Sequence, residues 1–216
     1  MNMRSKLVVS LGALGLAFVA GPGTAQAAEP VTLSTGHVDV LDVELHVDHF
    51  HIHLKHDADG GPVSYDPGEV VLHAVPESET TVPDDERFAF LGNPGDPVWI
   101  LPQTHNPDVL FAGLSAEGVE PGATRGDAVS FTLTDLQGPG DFSVFDVGTA
   151  GSPEIRFDSG DGLPDVTEVA AGGHEHMNWA FEEPGDYTAT IEVATTLLDG
   201  TVVTSPPYEL TFKVGA

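Results

Sequence analysis

Histidine and carboxylate carry the chemistry this chain can do. Of 216 residues ten are His and none is Cys, so imidazole nitrogens and acid oxygens are the metal ligands on offer, and thiolate sites and disulfides are excluded. Seven histidines fall between His37 and His73. Within them, His49, His51 and His53 alternate with Phe50, Ile52 and Leu54. On a strand this spacing puts three imidazoles on one face and three apolar groups on the other, a pattern suited to loose metal binding. His174-Glu175-His176 is a second pair at i and i+2, and Gly172-Gly173 just before it permits close backbone approach. Gly36-His37-Val38-Asp39 places an imidazole and a carboxylate on one strand face. Together His37, His174 and His176 offer three nitrogens, with Asp39 as a fourth ligand or as the acceptor for a ring N–H. Three His with a carboxylate or water make a tetrahedral, zinc-type set. Whether these distant segments share one site is a question for the fold.

Other chemistries are less well supported by the residues. Asp158-Ser-Gly-Asp161-Gly-Leu-Pro-Asp165 has the alternating carboxylates of a calcium loop, but it falls one residue short of the usual pattern and occurs once; we read it as an acidic turn. Glu182-Glu183 lies beside a turn, as a solvated rim does. Neither a nucleophile elbow nor an H-E-x-x-H helix is present, so the chain is read as non-enzymatic. Trp99 and Trp179 are assigned to the core, with sugar stacking as the competing role.

The elements that must position these groups read as strands. Tyr187, Ala189, Ile191 and Val193 alternate with Thr188, Thr190 and Glu192, and Tyr208, Leu210, Phe212 and Val214 repeat the pattern, as do Val129, Phe131 and Leu133. Val98-Trp-Ile-Leu101 is apolar on both faces, as a central strand is. Turns rich in Gly, Pro and Asp separate these pieces, and no apolar 3.6-residue period persists. The fold class expected is all-β: an Ig-like antiparallel sandwich with long loops, spanning 28–216, with a soft boundary near 118–126. Phe181-Glu-Glu-Pro-Gly-Asp-Tyr187 matches the turn and Tyr that enter a late strand of such domains. Val43, Leu45 and Val47 share the parity of His49, His51 and His53, so the apolar phase breaks between Val47 and Phe50, and a hairpin turn at 46–48 is expected there.

Charge and the N-terminus set the context. There are 34 Asp+Glu against 7 Lys+Arg, a net charge of −27 with His neutral. Such a surface attracts cations and lacks the basic footprint of a nucleic-acid binder. Arg4 and Lys6, the apolar run from Leu7 to Ala20, and Ala25-Gln-Ala27 form a secretory signal peptide over 1–27. No second apolar stretch is long enough to span a bilayer, so the mature chain is expected outside the cell without a membrane span.

The chain also resembles the actinobacterial surface-anchored protein domain family, the choice-of-anchor M proteins. The resemblance covers nearly all of the mature chain. It rests on Gly36-His-Val-Asp39, Phe90-Leu-Gly92, Val98-Trp-Ile-Leu-Pro-Gln103, Gly113-Leu-Ser115, Gly138-Pro-Gly-Asp-Phe142, and above all His174-x-His-x-Asn-Trp-x-Phe181 followed by Pro184-Gly-x-Tyr187. Proteins of this family typically occur beside manganese- or zinc-type ABC transporter genes. The resemblance implies an accessory protein that captures or buffers metal outside the cell, with a transporter's substrate-binding protein or a cell-wall component as partner. It places the polar signature on His37, Asp39, Gln103, His174, His176 and Asn178. The chain departs from the family in lacking an anchor and in the richness of its His46 to His56 segment. The alternative reading is a structural or adhesive module that binds cell-wall glycan or protein, with its histidines incidental.

Overall fold

A computed structural model describes residues 29–58 and 60–216; the signal peptide expected over 1–27 lies outside the described residues. Strands dominate. In chain order they are β1 (Val31–Leu33), β2 (Gly36–His46), β3 (His49–Ala58), β4 (Gly61–Tyr65), β5 (Val70–Ala74), β6 (Glu79–Thr81), β7 (Pro97–Leu101), β8 (Leu110–Gly118) and β9 (Ala128–Gln137). There follow β10 (Phe142–Val147), β11 (Pro153–Asp158), β12 (Asp165–Ala170), β13 (His174–His176), β14 (Asn178–Phe181), β15 (Gly185–Thr196), β16 (Val202–Thr204) and β17 (Tyr208–Val214).

Among the described residues three sheets form, making an all-β sandwich. The largest runs β1-β5-β17-β15-β9-β12 with β16 beside β15, a second runs β11-β10-β14-β7-β6, and the third runs β13-β8-β2-β3-β4. Pairing is antiparallel except for β1–β5, β5–β17 and β2–β8. Period-2 alternation explains the layers. Tyr187, Ala189, Ile191 and Val193 of β15 are buried, while the intervening residues are not. Their inner faces meet Phe142, Trp179, Phe181 and Phe212 in one apolar cluster that also takes in Val38, Val40 and Leu41 of β2. Burying such side chains contributes roughly 1.5–3 kcal/mol each. Trp99 and Trp179 both belong to this core, which settles their role against sugar stacking. The 118–126 stretch connects β8 to β9, whose Leu114 and Phe131 lie in that same cluster. Tyr187 Oη donates to the Glu183 carbonyl at 2.8 Å, closing the expected turn-and-Tyr corner.

The third sheet has two local features that decide where side chains point. First, β2 and β3 form a hairpin, with His46 opposite His49 and Val47-Asp48 as the two-residue loop. This is the expected turn; Val47 takes φ +41° to make it. Second, β2 carries a bulge between Asp39 and Asp42, where three steps on β2 match two on β3. The bulge buries both Val40 and Leu41 and returns Asp39, Asp42, Glu44 and His46 to a common face.

Candidate metal centre

Register in the third sheet builds the site. On β2, His37 and Asp39 stand opposite Phe111 and Gly113 of β8. On the other side of β8, His176 stands opposite the same Gly113, and His174 opposite Ser115. Four side chains from two strands therefore meet above the middle strand. Two features let β13 reach this position. Gly172 takes φ +73°, and at Gly173 a Cβ would lie 2.7 Å from the Ala170 carbonyl.

The structure brings all four sequence-predicted ligands together: one ligand atom from each of His37, Asp39, His174 and His176 lies within 4.8 Å of every other. His37 Nε2 is 3.3 Å from His174 Nε2 and 3.4 Å from Asp39 Oδ1. A tetrahedron with metal–nitrogen bonds of about 2.0 Å has edges of about 3.3 Å, so both spacings fit ligands around one small ion. The third side is shorter, with His174 Nε2 2.7 Å from Asp39 Oδ1. Asp39 is fully buried, and its Oδ1 is met by the His174 and His37 imidazoles. A buried carboxylate is costly unless donors or a cation face it. Lys55 Nζ, 3.8 Å from Oδ2, supplies part of that charge and leaves Oδ1 to the imidazoles.

Electrostatics divides the three imidazoles. Contact with Asp39, against the opposing effect of burial, holds the His37 and His174 pKa values above the ordinary imidazole value. Burial pushes His176 down to about 4. Its ring stacks on Phe111, centroids 3.5 Å apart and 10° from parallel. Burial disfavours ionisation of Asp39, but the His174 and His37 imidazoles outweigh it and keep the acid well below the usual carboxylate range. On its outer side, His37 Nδ1 lies 3.0 Å from Asp57 Oδ2, with Nε2 turned toward Asp39 and His174.

Gln103 and Asn178 are not part of this constellation. The Asn178 side chain donates to Gln103 Oε1 at 2.7 Å and accepts from the Gln103 backbone N–H at 3.0 Å. Gln103 Oε1 also accepts the Val147 N–H. The two amides clasp β14 to the ends of β7 and β10, two residues beyond His176. At Asp158, Asp161 and Asp165 the structure shows a turn: the Asp158 N–H donates to Asp165 Oδ2 at 2.6 Å and the Gly160 N–H to Asp158 Oδ1 at 3.0 Å.

The hairpin histidines arrange differently from the sequence expectation. His49, His51 and His53 do share the outward face of β3. The ligand atoms that converge, however, are those of Glu44, His46 and His51. His49 turns to Asp48 at 3.2 Å and His53 to Asp42 at 3.2 Å. Sequence reasoning missed Asp42 and Glu44 because the β2 bulge shifts their parity; the signal was the run Val40-Leu41-Asp42-Val43, which breaks alternation. His56 and His73 hydrogen-bond backbone carbonyls, of Thr35 and Gly215. A hollow of about 360 Å³ lined by Leu45, Val47, Leu197 and Leu198 shares no residue with the four-ligand cluster.

No protein-family model matches the chain, and no curated protein sequence matches it. A solved structure, the ASH / PapD-like domain of human CEP192 (PapD-like domain 7), is similar to part of it. The identity is 17%, the match covers 44% of this chain and 66% of that one, and the TM-score is 0.22.

Proposed function

We propose that the protein binds one zinc ion at His37, Asp39, His174 and His176 and serves outside the cell as a capture or buffering protein for a metal ABC transporter. The observation that carries this reading is the buried Asp39 carboxylate, whose Oδ1 lies 2.7 Å from His174 Nε2 and 3.4 Å from His37 Nε2, imidazoles brought to it from two remote strands. Three nitrogens and one oxygen, all within 4.8 Å of one another, favour zinc over manganese, which prefers more oxygen ligands in octahedral array. A site that gives the ion four protein ligands and leaves none open suits holding over hydrolysis. The strongly acidic surface supports cation capture. The resemblance of the His174-x-His-x-Asn-Trp block to choice-of-anchor M proteins supports export and delivery to a transporter. Elemental analysis of the untagged secreted protein tests the reading: about one zinc per chain supports it, and protein devoid of bound metal after growth in zinc-replete medium refutes it.

A further inference from the structure

Resting on that zinc reading, we propose that the outer face of the β2–β3 hairpin is a loading track, which gathers zinc at the hairpin tip and passes it to the buried centre. The register pairs Asp42 with His53, Glu44 with His51 and His46 with His49. The bulge places all six on one face, in line with the next pair, Asp39 and Lys55. The result is a ladder in which successive rungs lie roughly 7 Å apart, two residues of strand rise.

Each of the three outer rungs presents groups that bind zinc, and at the inner end Lys55 Nζ lies 3.8 Å from both Asp42 Oδ2 and Asp39 Oδ2, a counter-charge that an arriving ion displaces. At the outer end, ligand atoms of Glu44, His46 and His51 come within 4.8 Å of one another, enough for a three-ligand stop. The His46 and His49 rings stack with centroids 5.6 Å apart, and those of His51 and His53 lie 5.5 Å apart. Further in, His53 Nε2 is 3.2 Å from Asp42 Oδ2. The inner end reaches the centre directly. Asp42 and His174 stand opposite the same residue, Ser115, from the two sides of β8. That is two strand spacings, roughly 10 Å.

Accessibility falls along the same line. His49 and His51 side chains are 68% and 67% exposed, His53 is 15% exposed, and Asp39 is fully buried. Exposed ligands hold an ion weakly and exchange it quickly, because water competes and the rings rotate freely. A desolvated carboxylate among three imidazoles holds it longest. Once an ion is on the tip, each further step is intramolecular, at high effective concentration. A face that was only solvated would not need an acid–imidazole pair on consecutive rungs; the outer face of β15 carries Thr188, Thr190 and Glu192 instead.

The test is the rate at which metal-free protein takes up zinc, followed by stopped flow against a fluorescent zinc chelator. The variant is His46→Gln/His49→Gln/His51→Gln. These side chains are at least half exposed, and glutamine keeps a polar side chain without the ring nitrogens, so the substitution removes the metal-binding groups. Uptake should slow on the order of tenfold, a weak zinc class should vanish from the titration, and the affinity of the tight class should stay the same. Uptake at the unmodified rate, or a weak class that survives, overturns the track. The companion variant His174→Ala/His176→Ala should keep the weak class and lose the tight one. If the unmodified protein has no tight class, the buried centre fails and the track with it. If the tight class is present and the glutamine variant loads at full speed, the track alone fails.

Discussion

Gly113 stands directly opposite His176 across the β13–β8 pair, and a Cβ at Gly113 would lie 3.0 Å from His176 Nδ1 and 2.7 Å from the Glu175 carbonyl. Gly113 is also the residue opposite Asp39 on the other side of β8. The absence of a side chain there lets the imidazole lean across the middle strand toward the carboxylate. Gly113→Ala should displace His176 and cost about 1–3 kcal/mol of stability through overpacking. Competition titration should show zinc affinity reduced about tenfold or more, the size of effect expected when a ligand loses its support. Unchanged affinity would show that His176 does not depend on this gap.

The split among the imidazoles gives a proton count. Zinc binds neutral imidazole, so a ligand that is protonated in the free protein must release its proton. His37 and His174 are held above the ordinary value by Asp39, whereas His176 sits near 4 and is already neutral at pH ~5.5. Calorimetry in buffers of different ionisation enthalpy at that pH should report at most two protons released per zinc. Three would contradict the assigned electrostatics.

The same shifts set the pH dependence of stabilisation. The raised values of His37 and His174 stabilise the metal-free fold below about pH 6.5, and that contribution is lost as pH rises through their folded-state values. Zinc binding strengthens over the same interval because the competing protons leave. The zinc-induced rise in Tm should therefore grow from pH ~5.5 to ~7.5. Differential scanning calorimetry at fixed zinc checks this, and a rise that shrinks with pH would reverse the sign assigned here.

Asp57 acts on the centre through His37. Its carboxylate meets His37 Nδ1 at 3.0 Å, on the side of the ring away from the other ligands. Asp57→Asn should leave the fold intact, since the residue lies at the exposed end of β3, and should weaken zinc binding about tenfold. Equal affinity in the two proteins would remove Asp57 from the account.

The sandwich is expected to fold without the ion. Its core, from Val38 through Phe131 to Phe212, is built from all three sheets and contains none of the four ligands. Far-UV circular dichroism should remain β-type after chelation. Zinc at a hundredfold over Kd should add about 2.7 kcal/mol, a rise of roughly 5–10 °C for a domain of this size. Collapse to coil on chelation would make the ion structural.

The period-2 runs at 129–133, 187–193 and 208–214 made the sheets legible, because a face that is buried must alternate. The hairpin at 46–48 was legible as a break in phase. The four ligands could be named from i, i+2 spacing, but their convergence depends on β8 lying between β2 and β13, a long-range pairing that spacing does not encode. The β2 bulge was hidden for a different reason: Val40 and Leu41 are both buried, and two adjacent apolar residues read equally well as a slip in register or as noise. Asp42 and Glu44 went unassigned with it.

Zinc titration of the metal-free, untagged protein against its His174→Ala/His176→Ala variant tests the central claim most directly. The account predicts one tight zinc per chain in the unmodified protein and loss of that class in the variant, with far-UV circular dichroism unchanged. Tight binding that persists without His174 and His176 would contradict it.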